Sequence, residues 1–189
     1  MDATALEGGF ADPAAQSARA FRACLDVMAR PGTVQALAGA RPPAPLSPAA
    51  GTVLLTLADA TTPVYLAGAL DRPEIRDWIT FHTGAPLTGA ANATFALGAW
   101  ADLLPLDRFA LGTAEYPDRS ATLIVEMAAL EPPTHRLTGP GIRDAAELAL
   151  PGEEAARLND GAFPLGLDLI LTCGERLAAV PRTTQLEAL

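Results

Sequence analysis

The chain contains no lysine, because all 13 of its basic residues are arginine. Lysine is the side chain that forms a Schiff base with pyridoxal phosphate, and it is also the usual phosphate-binding residue of a Walker A loop. Its absence excludes both chemistries as properties of this chain alone. We therefore expect no cofactor.

Cysteine and histidine are scarce, with Cys24, Cys173, His82 and His135 as the complete set. Two distant cysteines give neither a disulfide framework nor the spacing of a metal site, so we expect no metal and two small buried thiols. An alternative is that Cys173 is a nucleophile paired with either histidine, although burial in an apolar strand would raise its pKa. His82 precedes a glycine turn and suits acid–base chemistry as well as a bond to the turn backbone. The sequence therefore assigns no catalytic residue.

Positive charge and long apolar runs are also lacking. The chain has 22 acidic and 13 basic residues, a formal net charge of −9, which disfavours a nucleic-acid surface because neutralising phosphates needs clustered cations. Acidic residues such as Asp59 and Glu126 interrupt the apolar runs well short of the ~20 residues that a membrane helix needs. The first residues lack the basic-then-apolar pattern of a signal peptide, so we expect no membrane contact and a cytoplasmic location.

Apolar residues are nevertheless abundant, at 50% of the chain. A length of 189 residues suits a single domain, residues 1–189, with a substantial core. The mean hydropathy of +0.22 is high for a chain without membrane segments. The surplus apolar surface predicts a subunit interface and a homodimer.

The strongest strand signal lies between Phe163 and Thr184. Leu167–Cys173 and Leu177–Val180 are apolar runs separated by a glycine turn, which predicts a β-hairpin. Asp168 interrupts the first run, and a buried carboxylate needs a partner, which Arg182 or Arg176 would supply.

Helices and strands alternate along the rest of the chain. Capping and breaker residues predict four helices. The first runs from Pro13 to a stop at Pro31-Gly32, and the third begins at 71–73 and runs to a stop at His82-Thr83-Gly84. The second covers 48–57, where a strand is the alternative, and the fourth covers 153–158. Strands are predicted at 33–37, 64–67, 94–98 and 121–130, with a short helical connection at 103–109. Short links between several strands predict an α/β fold with a layered mixed β-sheet flanked by helices.

The first helix combines two kinds of side chain. Phe21, Leu25 and Met28 recur at helical spacing and predict its core-facing side. The other side carries Arg19, Arg22 and Arg30, which suits solvent, an anion or an acidic partner.

Two polar stretches are candidate anion sites. Arg182, Thr183 and Thr184 place a guanidinium fork beside two hydroxyls, which suits a phosphate or a phosphonate. Arg136 and Thr138 precede two glycines whose backbone N–H groups form a second candidate nest.

Several blocks of sequence resemble the PhnH family of the bacterial carbon–phosphorus lyase system. They follow one another in family order: the opening helix from Phe21-Arg22 to Pro31-Gly32, LLTLADATTPV at 54–64, FHTGAP at 81–86, RLTGPGI at 136–142, FPLGLDLILTC at 163–173 and AAVPRTT at 178–184. The resemblance implies a fold like the large domain of pyridoxal-phosphate-dependent transferases, without the cofactor site. It also implies a phosphonate or nucleotide ligand and partner subunits PhnG, PhnI and PhnJ.

Three functions remain in competition. The resemblance implies a subunit of the complex that transfers the ribose triphosphate of ATP to methylphosphonate, without turnover by this chain alone. The residues themselves also allow a stand-alone hydrolase that uses Cys173 with a histidine, or a module that binds a small phosphonate or nucleotide.

Overall fold

The computed structural model describes residues 7–189, except for the side chains at positions 153 and 156. Helices and strands follow in the order α1 (Pro13–Ala29), β1 (Gln35–Ala36), α2 (Pro48–Leu57), β2 (Val64–Leu66), α3 (Pro73–Thr83), β3 (Phe95–Ala99), α4 (Trp100–Leu103), β4 (Thr122–Glu126), β5 (His135–Thr138), β6 (Ala146–Leu148), α5 (Glu153–Ala156), β7 (Asp168–Cys173), β8 (Arg176–Val180) and β9 (Gln185–Ala188). Short 3-10 helices lie at Gly68–Leu70, Ala90–Asn92, Leu106–Arg108 and Pro117–Arg119.

The larger sheet has six strands in the order β1-β8-β7-β4-β3-β2. Strands β2, β3, β4 and β7 run parallel, and β8 and β1 are added antiparallel to their neighbours. The sheet is therefore mixed. Strand β4 is central, and its residues lie opposite Phe95–Ala99 on one side and 168–172 on the other.

Local capping explains where the helices begin and end. The Asp12 side chain accepts from the N–H of Ala15 at 3.2 Å and caps α1, while Ser47 caps α2 through the N–H of Ala50 at 3.1 Å. The segment at 48–57 is therefore a helix rather than the alternative strand. Helix α3 ends at Gly84, whose φ of 69° is the left-handed conformation that glycine adopts without strain.

The six-stranded sheet separates two apolar cores. Ile124 on β4 faces the core covered by α1, α2 and α3, whereas its neighbours Leu123 and Val125 face the opposite core. This alternation is the period-two geometry of a strand buried on both faces. Helix α2 packs between α1 and α3, so the three helices form one layer.

The second core is closed by a smaller sheet that the sequence patterns did not predict. Its order is β6-β5-β9, with both pairings antiparallel. Strand β9 consists largely of exposed residues that follow the stop at Pro181, and β6 has three residues, so neither segment shows a strong apolar period. Strand β9 pairs with β5. Leu137 on β5 is fully buried in the second core.

Helix α1 presents a different face to the core from the one predicted. Its buried residues are Ala20, Cys24 and Val27. Phe21 and Leu25, predicted to face the core, are exposed large apolar side chains instead. The prediction was wrong because small residues let α1 lie close to α2 and β8, which leaves the larger side chains outside.

Several predicted boundaries shift by a few residues. The strand predicted at 121–130 ends at Glu126, and the strand predicted at 33–37 is reduced to two residues. The connection predicted at 103–109 contains the end of α4 and a 3-10 turn at Leu106–Arg108. Within residues 7–189, no helix combines the length and hydropathy needed to cross a membrane.

Candidate functional site

The predicted β-hairpin is present and places Asp168 beside Arg182. Strands β7 and β8 pair antiparallel, and Gly174, at a φ of 59°, lies in the turn. The backbone N–H of Arg182 donates to Asp168 Oδ1 at 2.8 Å, and its Nε donates to the same oxygen at 3.2 Å. Its Nη2 also pairs with Asp168 Oδ2. Arg176, the alternative partner, instead has its Nη1 3.8 Å from Oε1 of Glu131.

The guanidinium of Arg182 is largely engaged by the protein. Besides the contacts with Asp168, its Nη1 donates to the carbonyl oxygen of Pro117 at 2.6 Å. The side chains of Arg182 and Asp168 are only 16% and 14% exposed. This geometry favours a structural clamp between the hairpin and the turn at Pro117, and anion binding by Arg182 stays a prediction.

Thr183 and Thr184 line a cavity of about 620 Å³ next to this clamp. Thr184 is buried, and its hydroxyl has no hydrogen-bond partner among the residues that the structure describes. The exposed ring of Phe163 and the side chain of Asn159 form another part of the wall. The Asn159 amide is itself bonded to the backbone of Leu167. The cavity therefore combines apolar area with the hydroxyls of Thr183 and Thr184 and the charged residues Asp160 and Arg182. A mostly apolar wall with a few polar groups is the usual composition of a small-molecule site.

Arg136 and Thr138 lie on β5 of the smaller sheet. Arg136 is directly opposite Glu147 on β6 and Glu187 on β9. Because directly opposite residues share a face of the sheet, Arg136 is on the same face as two acidic residues, although within the described residues it forms no ion pair with either of them. This arrangement opposes the binding of an anion at Arg136. Thr138 is opposite Gln185, another residue that lines the 620 Å³ cavity.

The glycine turn after Thr138 has a packing role. At Gly141, with a φ of 82°, an added Cβ would overlap the carbonyl oxygen of Ala29 at the end of α1. Glycine is therefore required for the close approach of two backbones. Pro140 in the same turn lines the cavity of Thr183 and Thr184, so the structure does bring the two predicted stretches together.

A second cavity, of about 380 Å³, lies at the carboxyl ends of the parallel strands. Asp102, Glu126 and Ser47 contribute to its lining. In open α/β sheets, ligands usually bind at this edge. The sequence patterns did not identify this place. The one signal was Glu126 itself, a lone carboxylate that ends an apolar run.

Glu126 joins the sheet to the start of α2. Its Oε1 accepts from the backbone N–H of Ser47 at 2.7 Å, and its Oε2 accepts from the hydroxyl of Thr172 at 3.1 Å. Burial raises the pKa of the Glu126 carboxyl, and the hydrogen bonds from Ser47 and Thr172 oppose this shift. The group is therefore a carboxyl that takes up a proton more readily than an exposed glutamate.

The chemistry of this second cavity differs from that of a phosphate site. Its ionisable groups are the two carboxylates of Asp102 and Glu126. Carboxylates accept hydrogen bonds from hydroxyl or amino groups and repel phosphates. Within the described ranges, no group of three or more His, Cys, Asp or Glu side chains could hold a metal ion.

The two cysteines differ in exposure, contrary to the prediction that both are buried. Cys24 is buried, and desolvation raises its pKa to about 11. Cys173 is only half-buried, because it is the last residue of β7, and its thiol donates to the carbonyl oxygen of Ala128 at 3.4 Å.

The two imidazoles lie on separate elements. His82 is on α3, where Nε2 lies 3.2 Å from the carbonyl oxygen of Glu7, so this nitrogen is the donor. His135 is buried on β5, and its Nδ1 lies 2.8 Å from the hydroxyl of Thr134. The His82 contact ties Glu7 to α3, whereas the His135 contact joins two adjacent residues.

Comparisons with known proteins identify one family model and one relative that match almost the whole length of the chain, and a second relative that matches part of it. A family model described as bacterial phosphonate metabolism protein (PhnH) matches residues 8–187. The alpha-D-ribose 1-methylphosphonate 5-triphosphate synthase subunit PhnH of Rhizobium meliloti (strain 1021) is 45% identical over 192 residues, covering 95% of this chain and 94% of the relative. A putative C-P lyase subunit protein HtxG of Stutzerimonas stutzeri is 42% identical over 82 residues, or 40% of this chain and 42% of that protein.

Proposed function

The chain belongs to the PhnH family of bacterial phosphonate metabolism proteins, and we propose that it is a subunit of a carbon–phosphorus lyase complex. The observation that carries the proposal is the 45% identity, over 95% of the chain, to a subunit of alpha-D-ribose 1-methylphosphonate 5-triphosphate synthase. We propose the same reaction for the assembled complex, the transfer of ribose triphosphate from ATP to methylphosphonate.

The described side chains support a subunit rather than a complete enzyme. Nucleotide and phosphoryl chemistry needs cationic groups or metal ions that converge on phosphates, together with a positioned base. The sequence has no lysine, Arg182 is engaged by Asp168, and Arg136 is on the same face of its sheet as two acidic residues. We therefore propose that PhnG, PhnI and PhnJ supply the missing groups and that this chain alone does not turn over substrate.

The test is to follow phosphorus NMR spectra of ATP, magnesium and methylphosphonate with this chain alone and with the full set of subunits. We expect a new phosphonate ester resonance and release of adenine only with the full set. Turnover by this chain alone, lost on Cys173→Ala or His82→Ala, would replace the proposal with a stand-alone enzyme.

The homodimer, the cytoplasmic location and the likeness to pyridoxal-phosphate-dependent transferases are further parts of this proposal. A mixed sheet with four parallel strands is compatible with the likeness. After incubation with pyridoxal phosphate and dialysis against buffer, a chain without lysine should be colourless, and a near-visible absorption band that survives the dialysis would contradict the loss of the cofactor site. Light scattering and cell fractionation test the other two parts.

The cavity of Thr183 and Thr184 favours a second candidate function, the binding of a small phosphonate or nucleotide. Its volume of about 620 Å³ is sufficient for a ligand of this size. Calorimetric titration of the isolated chain with methylphosphonate and with ATP tests this function. A saturable isotherm that Thr184→Val abolishes would support it, and flat isotherms for both ligands would exclude it.

A further inference from the structure

The 620 Å³ cavity next to the hairpin takes its walls from two separate segments of the chain. One wall comes from the connection between β8 and β9, which contributes Thr183, Thr184 and Gln185. The other comes from the segment between α5 and β7, which contributes Asp160 and Phe163. Polar and aromatic groups from both segments therefore converge on one concave surface, which is the usual form of a small-molecule site.

The segment that carries Asp160 and Phe163 is closed at its base. The side-chain amide of Asn159 donates to the carbonyl oxygen of Leu167 at 2.9 Å, and its Oδ1 accepts from the N–H of Leu167 at 2.8 Å. An added Cβ at Gly166 would lie 2.4 Å from Asn159 Oδ1, so a larger residue there would disturb this closure. These contacts hold the loop between positions 159 and 167 against the body of the domain, with Asp160 and Phe163 beside the cavity.

The charges on the cavity wall do not suit an anion. Among the lining residues that the structure describes, Arg182 is the one cation, and each of its guanidinium nitrogens donates to Asp168 or to the carbonyl oxygen of Pro117. Asp160 is exposed, and it forms no ion pair with any residue in the described part of the chain. The wall therefore combines a neutralised arginine with one unpaired carboxylate, which repels a phosphonate or a triphosphate.

The other groups on the wall suit an uncharged aromatic ring. Phe163 is 75% exposed, the largest exposed fraction among the large apolar side chains that the structure describes. An accessible phenylalanine ring offers a face on which a nucleobase can stack. Thr184 is buried, and its hydroxyl has no hydrogen-bond partner among the described residues. With Thr183 and Gln185 it supplies hydroxyl and amide groups of the kind that bind the polar edge of a base.

We propose that this cavity binds an uncharged purine nucleoside, with the base stacked on Phe163 and a hydroxyl or amino group of the ligand donating to Asp160. A volume of about 620 Å³ accommodates such a ligand. The inference rests on the proposed function, in which the complex uses ATP. It deepens that function by assigning the nucleoside half of ATP to this cavity, while the triphosphate and the phosphonate bind elsewhere in the complex.

Calorimetric titration of the full chain with adenosine, AMP and methylphosphonate tests the charge of the ligand. We expect a saturable isotherm for adenosine and about fivefold weaker binding of AMP, because its phosphate is repelled by Asp160. Methylphosphonate should neither bind in the cavity nor displace adenosine. Asp160→Asn should reduce the difference between adenosine and AMP, whereas Asp107→Asn, the same change at an exposed position outside the cavity lining, should leave it unchanged. A flat isotherm for adenosine, or its displacement by methylphosphonate, would overturn the proposal.

Variants of Phe163 test the stacking. Phe163→Ala should lower the affinity for adenosine about tenfold, and Phe163→Tyr should retain it within about twofold, because the tyrosine ring stacks equally well. The matched control is Phe81→Ala, which removes a ring that is 50% exposed on α3 and should leave binding unchanged. If circular dichroism shows that Phe163→Ala disturbs folding, Phe163→Leu replaces it, with the same loss expected. Adenosine binding without a ring at position 163 that is as tight as in the wild type would overturn the assignment.

Reconstitution with PhnG, PhnI and PhnJ separates this inference from the proposed function. Conversion of ATP and methylphosphonate by the assembled subunits, together with a flat adenosine isotherm for this chain, would overturn only the cavity assignment. Adenosine binding that depends on Phe163, without conversion by the assembled subunits, would overturn only the proposed function and support the nucleoside site.

Discussion

Removal of the Asp168 carboxylate should destabilise the fold strongly. Asp168→Ala leaves the guanidinium of Arg182 without its counter-ion in a site where the two side chains are 16% and 14% exposed, and it leaves the Arg182 backbone N–H without its acceptor. Breaking a buried pair in this way costs about 3–5 kcal/mol. With a urea dependence of roughly 2 kcal/mol per molar, the unfolding midpoint should fall by about 2 M.

The assay is urea unfolding followed by circular dichroism at one fixed protein concentration, because self-association would couple stability to concentration. Asp71→Ala is the matched control, since Asp71 pairs with Arg76 in a similar Asp–Arg contact at the surface. We expect that control to leave the midpoint almost unchanged, because exposed ion pairs contribute little. Equal midpoint shifts for the two variants would refute the structural role assigned to the buried pair.

Three further predictions concern Glu126, the thiols and Gly141. Because burial raises the pKa of Glu126 above its usual 4.5, the wild type should lose stability relative to Glu126→Gln as the pH rises from about 4.5 to 7. A difference in unfolding free energy between the two proteins that stays constant across that pH range would contradict this. A thiol reagent should modify Cys173 in the native protein but Cys24 only after unfolding, as peptide mapping would show. Gly141→Ala should cost about 1–3 kcal/mol through overlap with the carbonyl at the end of α1, and more than Gly174→Ala, which has a positive φ but open space; equal losses would refute the overlap.

Local signals in the sequence were sufficient for the starts of α1 and α3 and for the hairpin, whereas the segment at 48–57 kept a strand as an alternative. The caps at Asp12 and Ser47, and the glycine stops at Gly84 and Gly174, act on neighbours within a few residues. Their conformational effects do not depend on distant parts of the chain. The absence of lysine likewise limits the chemistry of the chain whatever its fold.

Tertiary packing decided which of several equally plausible local options was realised. The sequence left two arginines as partners for Asp168, and the register of the hairpin selects Arg182, because Leu169 lies opposite Val180 whereas Arg176 lies opposite Cys173 at the far end. Both sides of α1 are apolar enough to be buried, and close packing against α2 and β8 selects the side with small residues.

The candidate sites also depend on long-range contacts. Thr138 meets Gln185 only because β9 joins β5, and β9 lacks a strong strand period of its own. Glu126 meets the N–H of Ser47 across 79 residues of sequence. By itself, the sequence determined the glycine turns, the starts of α1 and α3 and the groups available for chemistry. The tertiary structure decided which of these groups are buried, paired or exposed, because these properties depend on neighbours that are distant along the chain.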